Sequence, residues 1–592
     1  MFKTLASQIK QYKWPSIATP VFTALEVVMD VLIPYVTASL IDRGINAGDI
    51  SQVYFYGAVM IGMAFLSLFF GIMAGRFSAL ASSGFAANLR TAMYRNIQRF
   101  AFSDIDKYSA SGLVTRMTTD VSNLQNAYQQ LLRVTVRAPF RLVLSIVMCI
   151  VINPKLSIIF VVALVVLGSA LGYIIVHASR LFTQVFKAYD RLNLAVQENV
   201  SAIRVVKAFV REEYENEKFD KAATWLYQLN VKAEKLMALN QPIMNMVVYG
   251  CIIALSWFGA HFVVESTLTT GELTSLFTYV MSILQALMML SMIFVMLTQS
   301  AASGQRVAQV INELPDIQNP ARPVMEVKDG SVEFNHVQFS YNRKIKEERT
   351  KGEQEHLEYA INSLDFRIKK GETIGIIGGT GSGKSSLVNL ISRLYDVNHG
   401  SVFVGGIDVR QYDLTTLRNA VSVVLQSNVL FSGTILDNLR WGNPDCTLEQ
   451  AQEACRMACA DEFISEMPDG YDTRIEQGGT NVSGGQKQRL CIARALLKQP
   501  KILVLDDSTS ACDTATDARI RQNMKAAMPG MTKLLISQRI STVKDCDRIL
   551  VLDNGHLSGF DTHEQLLKTN KVYREIYELQ DSDTADFDKK ES

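Results

Sequence analysis

Residues 373–395 read Thr373-Ile-Gly-Ile-Ile-Gly378-Gly-Thr-Gly-Ser-Gly383-Lys-Ser-Ser386-Leu-Val-Asn-Leu-Ile-Ser-Arg-Leu-Tyr395. A β-branched run meets a glycine-rich loop, which opens directly into an apolar stretch of helical composition. Gly378, Gly379, Gly381 and Gly383 let the backbone curl. The N–H groups of the loop and of the following helix N-terminus can then surround a polyphosphate, with Thr380 and Ser382 completing the turn. Lys384 adds a positive charge near the β and γ phosphates, and Ser385 supplies a hydroxyl for Mg²⁺. The octapeptide fits GxxxxGK[ST] in the strand–loop–helix context that this chemistry requires, and it predicts an α/β nucleotide-binding domain.

Downstream, Ile502-Leu-Val-Leu505-Asp506 is a four-residue apolar run ending in a carboxylate. Such a strand buries itself and delivers Asp506 at its end, where it can enter the magnesium shell. Between the two lies Asn481-Val-Ser483-Gly484-Gly485-Gln486, a serine and two glycines that open another helix. That is a second anion-binding helix end. One phosphate-binding domain does not need two, so each end is expected to serve a different nucleotide, with two domains face to face.

Upstream of about residue 320 the composition changes. Six apolar stretches, near 16–41, 54–80, 134–152, 156–178, 240–263 and 273–300, are long enough to cross a hydrocarbon layer of about 30 Å at about 1.5 Å per residue. No charged residue lies between Glu272 and Arg306. Loops near 43–53, 153–155 and 264–272 carry only Arg43 and Lys155 as basic residues, whereas connections 82–133 and 178–240 carry six and ten. The basic connections are expected to face the cytosol, which places both termini there too. Both are rich in Ala, Leu, Arg, Glu and Gln, so the spanning helices are expected to continue beyond the bilayer. The amphipathic start, Met1–Pro15, is expected to lie on the cytosolic membrane face. A net charge of +1 gives no basic excess for nucleic acid. Eight scattered cysteines form no metal or disulfide pattern, although Cys455 and Cys459 are expected to share a helix face.

A VSGGQ segment between a phosphate loop and an aspartate strand resembles the signature of the ABC ATPases. With six preceding spans the chain resembles an ABC exporter half-transporter across nearly its whole length, including Val205–Phe219, similar to an intracellular coupling region. The resemblance implies ATP and Mg²⁺ as cofactors, Tyr341 stacking on the adenine, Ser386 following the phosphate loop, and Gln426 between magnesium and the membrane helices. Ala511-Cys512-Asp513 matches the D-loop. Ser483, Gly484, Gly485 and Gln486 would complete the ATP site of a second ABC half.

Two positions depart from the family pattern. Asp507 stands where a glutamate usually polarises the attacking water, and Gln538 where a histidine usually contacts the γ-phosphate. Together they resemble the degenerate subunit of heterodimeric bacterial multidrug exporters, whose own site binds ATP but hydrolyses it poorly. The expected architecture is a transmembrane domain at 1–320, an ABC nucleotide-binding domain at 321–580 and a flexible tail at 581–592, with 342–358 a charged insertion. The expected function is ATP-driven export of hydrophobic or amphipathic compounds across a bacterial plasma membrane. A homodimeric lipid flippase or peptide exporter, and a nucleotide-gated channel or regulatory subunit, remain as alternatives. For substrate contact, Met281, Met288, Met292 and Met296 share a face of the last span, which ordinary helix packing explains as well. Glu26 and Asp30 lie one turn apart in the first span, where they would attract cations or pair with an arginine such as Arg76 or Arg141.

Overall fold

A computed structural model describes residues 1–341, 359–507 and 512–588. The chain divides into two compact units: 1–99 with 109–313, and 314–592 with 100–108. The charged insertion and Ala511 lie outside the described residues.

The first unit is helical. Among the described residues it holds six helical stretches long and apolar enough to cross a membrane: Lys10–Ile45, Ile50–Ile97, Ala110–Ile152, Pro154–Ser201, Glu212–Val264 and Thr270–Leu290. The two basic connections are helical for most of their length, as their composition predicts. Local chemistry sets the ends. Asn153 accepts from Lys155 N and Leu156 N, and Pro154 occupies the first helical turn, so the turn between spans three and four is capped as it forms. Thr269 and Glu272 form a reciprocal capping box at the start of span six. Cross-helix hydrogen bonds add to the packing: Tyr279 Oη donates to Val31 O at 2.7 Å, and Ser275 Oγ to Pro34 O at 2.6 Å. The expected coupling region is broken in two: a short helix, Ile203–Ala208, then three non-helical residues before Glu212–Ala238. Phe209 and Val210 at the break are strongly exposed.

The second unit is the α/β half. Its strands are β1 (Val332–Phe339), β2 (Ile361–Ile368), β3 (Thr373–Gly378), β4 (His399–Val404), β5 (Ile407–Asp408), β6 (Val421–Val424), β7 (Gly433–Thr434), β8 (Arg474–Ile475), β9 (Ile502–Asp506), β10 (Thr532–Ile536), β11 (Arg548–Asp553) and β12 (His556–Asp561). The main sheet has the order β12-β11-β3-β10-β9-β6, parallel except for β12. A smaller antiparallel sheet has the order β2-β1-β4-β5. Strands buried on both faces read as unbroken apolar runs, which is how Ile502–Leu505 and Leu534–Ile536 look in the sequence.

Three details differ from expectation. The boundary placed at 580 falls inside the helix Lys571–Asp588. Cys455 and Cys459 do not share a helix: that helix ends at Met457, and Cys459 turns the chain at φ +53. Residues 100–108, within an expected membrane-unit connection, cluster with the α/β unit, and their helix Phe102–Tyr108 has no separate signal in the sequence.

Candidate nucleotide site

Parallel sheets collect functional loops at the carboxyl ends of their strands. The phosphate loop follows β3, Gln426 lies two residues past β6, Asp506 ends β9 with Asp507 directly after it, and Gln538 lies two residues past β10. The register places Ile536 beside Asp506, and Val424 beside Leu505. The shared edge therefore follows from strand order alone. Gln426 and Gln538 are both exposed there.

Within the loop, Gly383 adopts φ +95, and a Cβ on it would meet Ala360 O at 2.5 Å. Only glycine satisfies both conditions. At Gly379 and Gly381 a Cβ would meet nothing within 4 Å, so the loop backbone borders open space. Lys384 Nζ folds back to donate to Gly378 O at 2.8 Å and Gly379 O at 2.7 Å. Burial pushes its ammonium pKa down, with Asp506 and Asp507 opposing that shift. Ser382 Oγ is buried without a hydrogen-bond partner. A ligand with anionic oxygens fits these features: a cradle open to approach, an orphaned hydroxyl, and a cation held by weak internal acceptors. Ser385 donates its hydroxyl to Asp506, whose pKa burial raises, with the nearby Asp507 charge adding to the shift. A carboxylate disfavoured by burial and paired with a hydroxyl is a donor set suited to a hard divalent cation.

Asp507 sits at φ +48, its N–H held by Ile536 O at 3.0 Å. Aspartate is among the few residues that tolerate this left-handed region. Tyr341 is half exposed, and its hydroxyl lies 2.9 Å from Ser386 Oγ. Its ring meets Tyr395 edge-on at 5.2 Å, and Tyr395 Oη donates to Asp106 at 2.7 Å. Phe102, on the same short helix as Asp106, meets the Tyr395 ring edge-on at 6.1 Å.

The second glycine-bearing end is built differently. Ser483 caps Gly484–Leu496: its Oγ accepts from Gln486 N at 3.2 Å, while Gln486 Oε1 accepts from Ser483 N at 2.9 Å. A cavity of about 360 Å³ opens before it, lined by Ser483, Gly484, Gly485, Arg489, Cys512 and Asp513. No residue of the phosphate loop lines this cavity. The sequence had not indicated Gln580. From the C-terminal helix it accepts from Ile540 N at 2.9 Å and donates to Gln538 O at 2.7 Å, gripping the backbone on both sides of residue 539.

The comparisons with known proteins agree with this geometry. Residues 16–288 match the ABC transporter transmembrane region, and 361–510 match the ABC transporter family of ATP-binding domains. An uncharacterized ABC transporter ATP-binding protein of Bacillus subtilis, YfiB, is 34% identical over 555 residues, 94% of each chain. The chain belongs to the ABC transporters. It is a half-transporter, a transmembrane domain fused to an ABC ATPase domain, and that arrangement implies dimerisation with another ABC half. A second relative, the uncharacterized ABC transporter ATP-binding protein Rv1273c of Mycobacterium tuberculosis, is 35% identical over 549 residues, 92% of each chain. The fold matches a bacterial Atm1-family ABC exporter with ATP bound, with a TM-score of 0.80 at 23% identity over 96% of this chain and 99% of that one.

In the membrane unit, Glu26 and Asp30 do come together, but with Arg137 rather than Arg76 or Arg141. Arg137 Nη2 donates to Glu26 Oε1 at 2.9 Å and to Asp30 Oδ2 at 3.4 Å. Met288 is half-buried against the core of the spans, and Met281 is exposed. The side chain of Met292 lies outside the described residues.

Proposed function

We propose that this half-transporter pairs with a different ABC half to export hydrophobic or amphipathic compounds, and that its own ATP site is the slow one. The observation that carries this reading is a complete binding apparatus beside two altered catalytic positions. Lys384, Ser385, Asp506 and the loop glycines would hold Mg-ATP, with Tyr341 against the adenine and Gln426 near the metal. Magnesium there would neutralise charge on the β and γ phosphates. Asp507 is one methylene shorter than glutamate, and misplacement of a catalytic group by about 1 Å costs about 10²-fold. Gln538 stays neutral at every pH. Ser483, Gly484, Gly485 and Gln486 would complete the partner's site. The protein would be a multi-pass component of a bacterial plasma membrane, with the ATPase domain and both termini cytosolic.

Exposed apolar surface supports a dimer that transmits movement. Phe209 and Val210 protrude beside the short helix 203–208 of the membrane unit. The nucleotide unit holds a groove of about 350 Å³ lined by Leu425, Val429, Phe431 and Trp441, the last two rings stacked at 4.1 Å. We assign the protruding pair to docking on a nucleotide domain. The deciding experiment is the ATPase rate of the purified pair. Asp507→Asn is expected to lower it by less than about twofold, whereas amidation of the partner's catalytic glutamate lowers it about 10²-fold or more. Equal near-complete losses would reject the asymmetry.

A further inference from the structure

The six expected spans carry two acidic residues, Glu26 and Asp30, and three arginines, Arg76, Arg137 and Arg141, with Arg133 one residue before the third span. The structure puts both carboxylates on one arginine. Arg137 takes Glu26 and Asp30, and Ser67 Oγ donates to Asp30 Oδ1 at 2.7 Å. Among the described residues no hydrogen bond or ion pair reaches Arg76, Arg133 or Arg141, and Arg141 Nε is buried without a partner. Arg133, Arg137 and Arg141 follow one another at four-residue steps along one helix, so they share a broad face about 12 Å long. Span two brings small residues to Glu26 of span one and to Arg133. Gly71 packs so closely on Glu26 that a Cβ would come within 3.0 Å of its Oε1, and a Cβ on Gly75 would lie 4.0 Å from Arg133 Nη1. Arg141 stands about 10 Å of helix inside the expected start of span three.

An intramembrane charge faces a bundle interior or a wet path and needs a counter-charge there. Both acids of the seam between spans one, two and three are engaged by Arg137, with Glu26 Oε2 and Arg137 Nε still unpartnered, and four arginines against two carboxylates leave guanidinium in excess. We infer that this seam binds the anionic group of an amphiphile, a sulfonate, carboxylate or phosphate monoester, with Arg141 and Arg133 as its donors. This deepens the export reading and rests on it: the favoured amphipathic cargo is an anion, and the carboxylates Glu26 and Asp30 orient Arg137 instead of attracting cations. Guanidinium suits the task because it stays charged and presents a planar fork to two oxygens.

A matched pair of probes tests it: 1-anilinonaphthalene-8-sulfonate and its neutral counterpart N-phenyl-1-naphthylamine, with the full transporter pair in phosphatidylcholine nanodiscs and in vesicles. Arg141→Gln is expected to weaken sulfonate binding and uptake about tenfold or more while the neutral compound changes less than about twofold. Arg141→Lys, which keeps the charge but not the fork, should lose less sulfonate affinity than Arg141→Gln. Equal losses for both probes, no loss for either, or a Glu26→Gln variant that improves neither probe yet abolishes uptake of ethidium, would overturn the proposal. If Arg141→Gln does not assemble, Arg133→Gln set against Arg133→Lys gives the same comparison. Adding phosphatidylglycerol separates the sources. Competition with the sulfonate assigns the site to a lipid headgroup, and indifference assigns it to the exported compound. Binding measured without ATP stands apart from pumping, so a pair that binds the sulfonate but moves neither probe would sink the export reading and leave the anion site intact.

Discussion

The nucleotide unit presents two glycine-bearing helix ends to phosphate, and they are finished differently. At the phosphate loop the cap is Gly383, with no side-chain cap, and the only cation, Lys384, is turned inward onto the loop's own carbonyls. At the signature, Ser483 and Gln486 satisfy each other in a capping box before any ligand arrives, and the cavity ahead is open. One end must rearrange to bind, and the other is already organised. A pre-organised end that binds no nucleotide through its own loop suits a partner's ATP, because little ordering cost falls on closure.

The largest expected effect therefore lies at the signature. Gly485→Asp puts a carboxylate at the helix end, where the partner's γ-phosphate would sit. Turnover by the pair should fall by about 10²-fold or more, through like-charge repulsion and loss of the helix-end donors. ATP retained by this chain's own loop should be unaffected when measured by photolabelling. Loss of labelling on this chain would mean that the two ends are not separate.

Lys384→Ala comes next. It should weaken nucleotide binding at this chain's loop by about 10- to 100-fold, as removal of a charge-assisted contact does. Turnover by the pair should fall by much less, since this site would contribute little hydrolysis. The pH dependence has a definite sign. Burial lowers the ammonium pKa of Lys384, so its charge is lost at a lower pH than an exposed lysine would lose it. Affinity at this loop should therefore decline as pH rises, with proton uptake on binding at alkaline pH. Calorimetry in buffers of different ionisation enthalpy reads that uptake, and Lys384→Arg should remove it.

Much of this was legible in the sequence because covalent spacing carries it. Eight consecutive residues encode the phosphate loop, four apolar residues place Asp506, and serine with two glycines encodes the capped signature end. The membrane helices were equally plain, since each backbone in hydrocarbon must satisfy itself and length and apolarity suffice. Pairings between distant segments were hidden. Which arginine meets Glu26 depends on the rotation of span three against span one, and i, i+4 neighbours such as Arg137 and Arg141 differ too little in sequence to tell apart. The helix Phe102–Tyr108 escaped notice because seven residues carry no periodicity, and only Tyr395 shows what its Asp106 and Phe102 touch. The left-handed backbone at Asp507 is another such case. Sequence shows an unusual aspartate, while φ +48 shows a position where aspartate is better tolerated than glutamate.

The smallest effect sharpens the comparison from outside both ends. Gln580 holds the backbone on either side of residue 539 with its side-chain amide, accepting from Ile540 N and donating to Gln538 O. Signature and phosphate loop hold their shape by their own residues, but the segment bearing Gln538 is held from a helix forty residues further on. Gln580→Ala frees one donor and one acceptor at an exposed edge where water replaces them, so the stability loss should stay near about 1 kcal/mol. Turnover at this chain's own site should change about two- to fivefold with little change in its KM for ATP, and turnover by the pair by less than about twofold, because the segment would bear on the γ-phosphate and not on the base or the loop. Gln580→Glu keeps the acceptor but sets a carboxylate against Gln538 O, so it should be worse than alanine. If Gln580→Glu matches wild type in turnover, the C-terminal helix is packing alone. If either variant shifts KM more than turnover, the amide acts on nucleotide entry, and Gln538 does not stand beside the transferred phosphate.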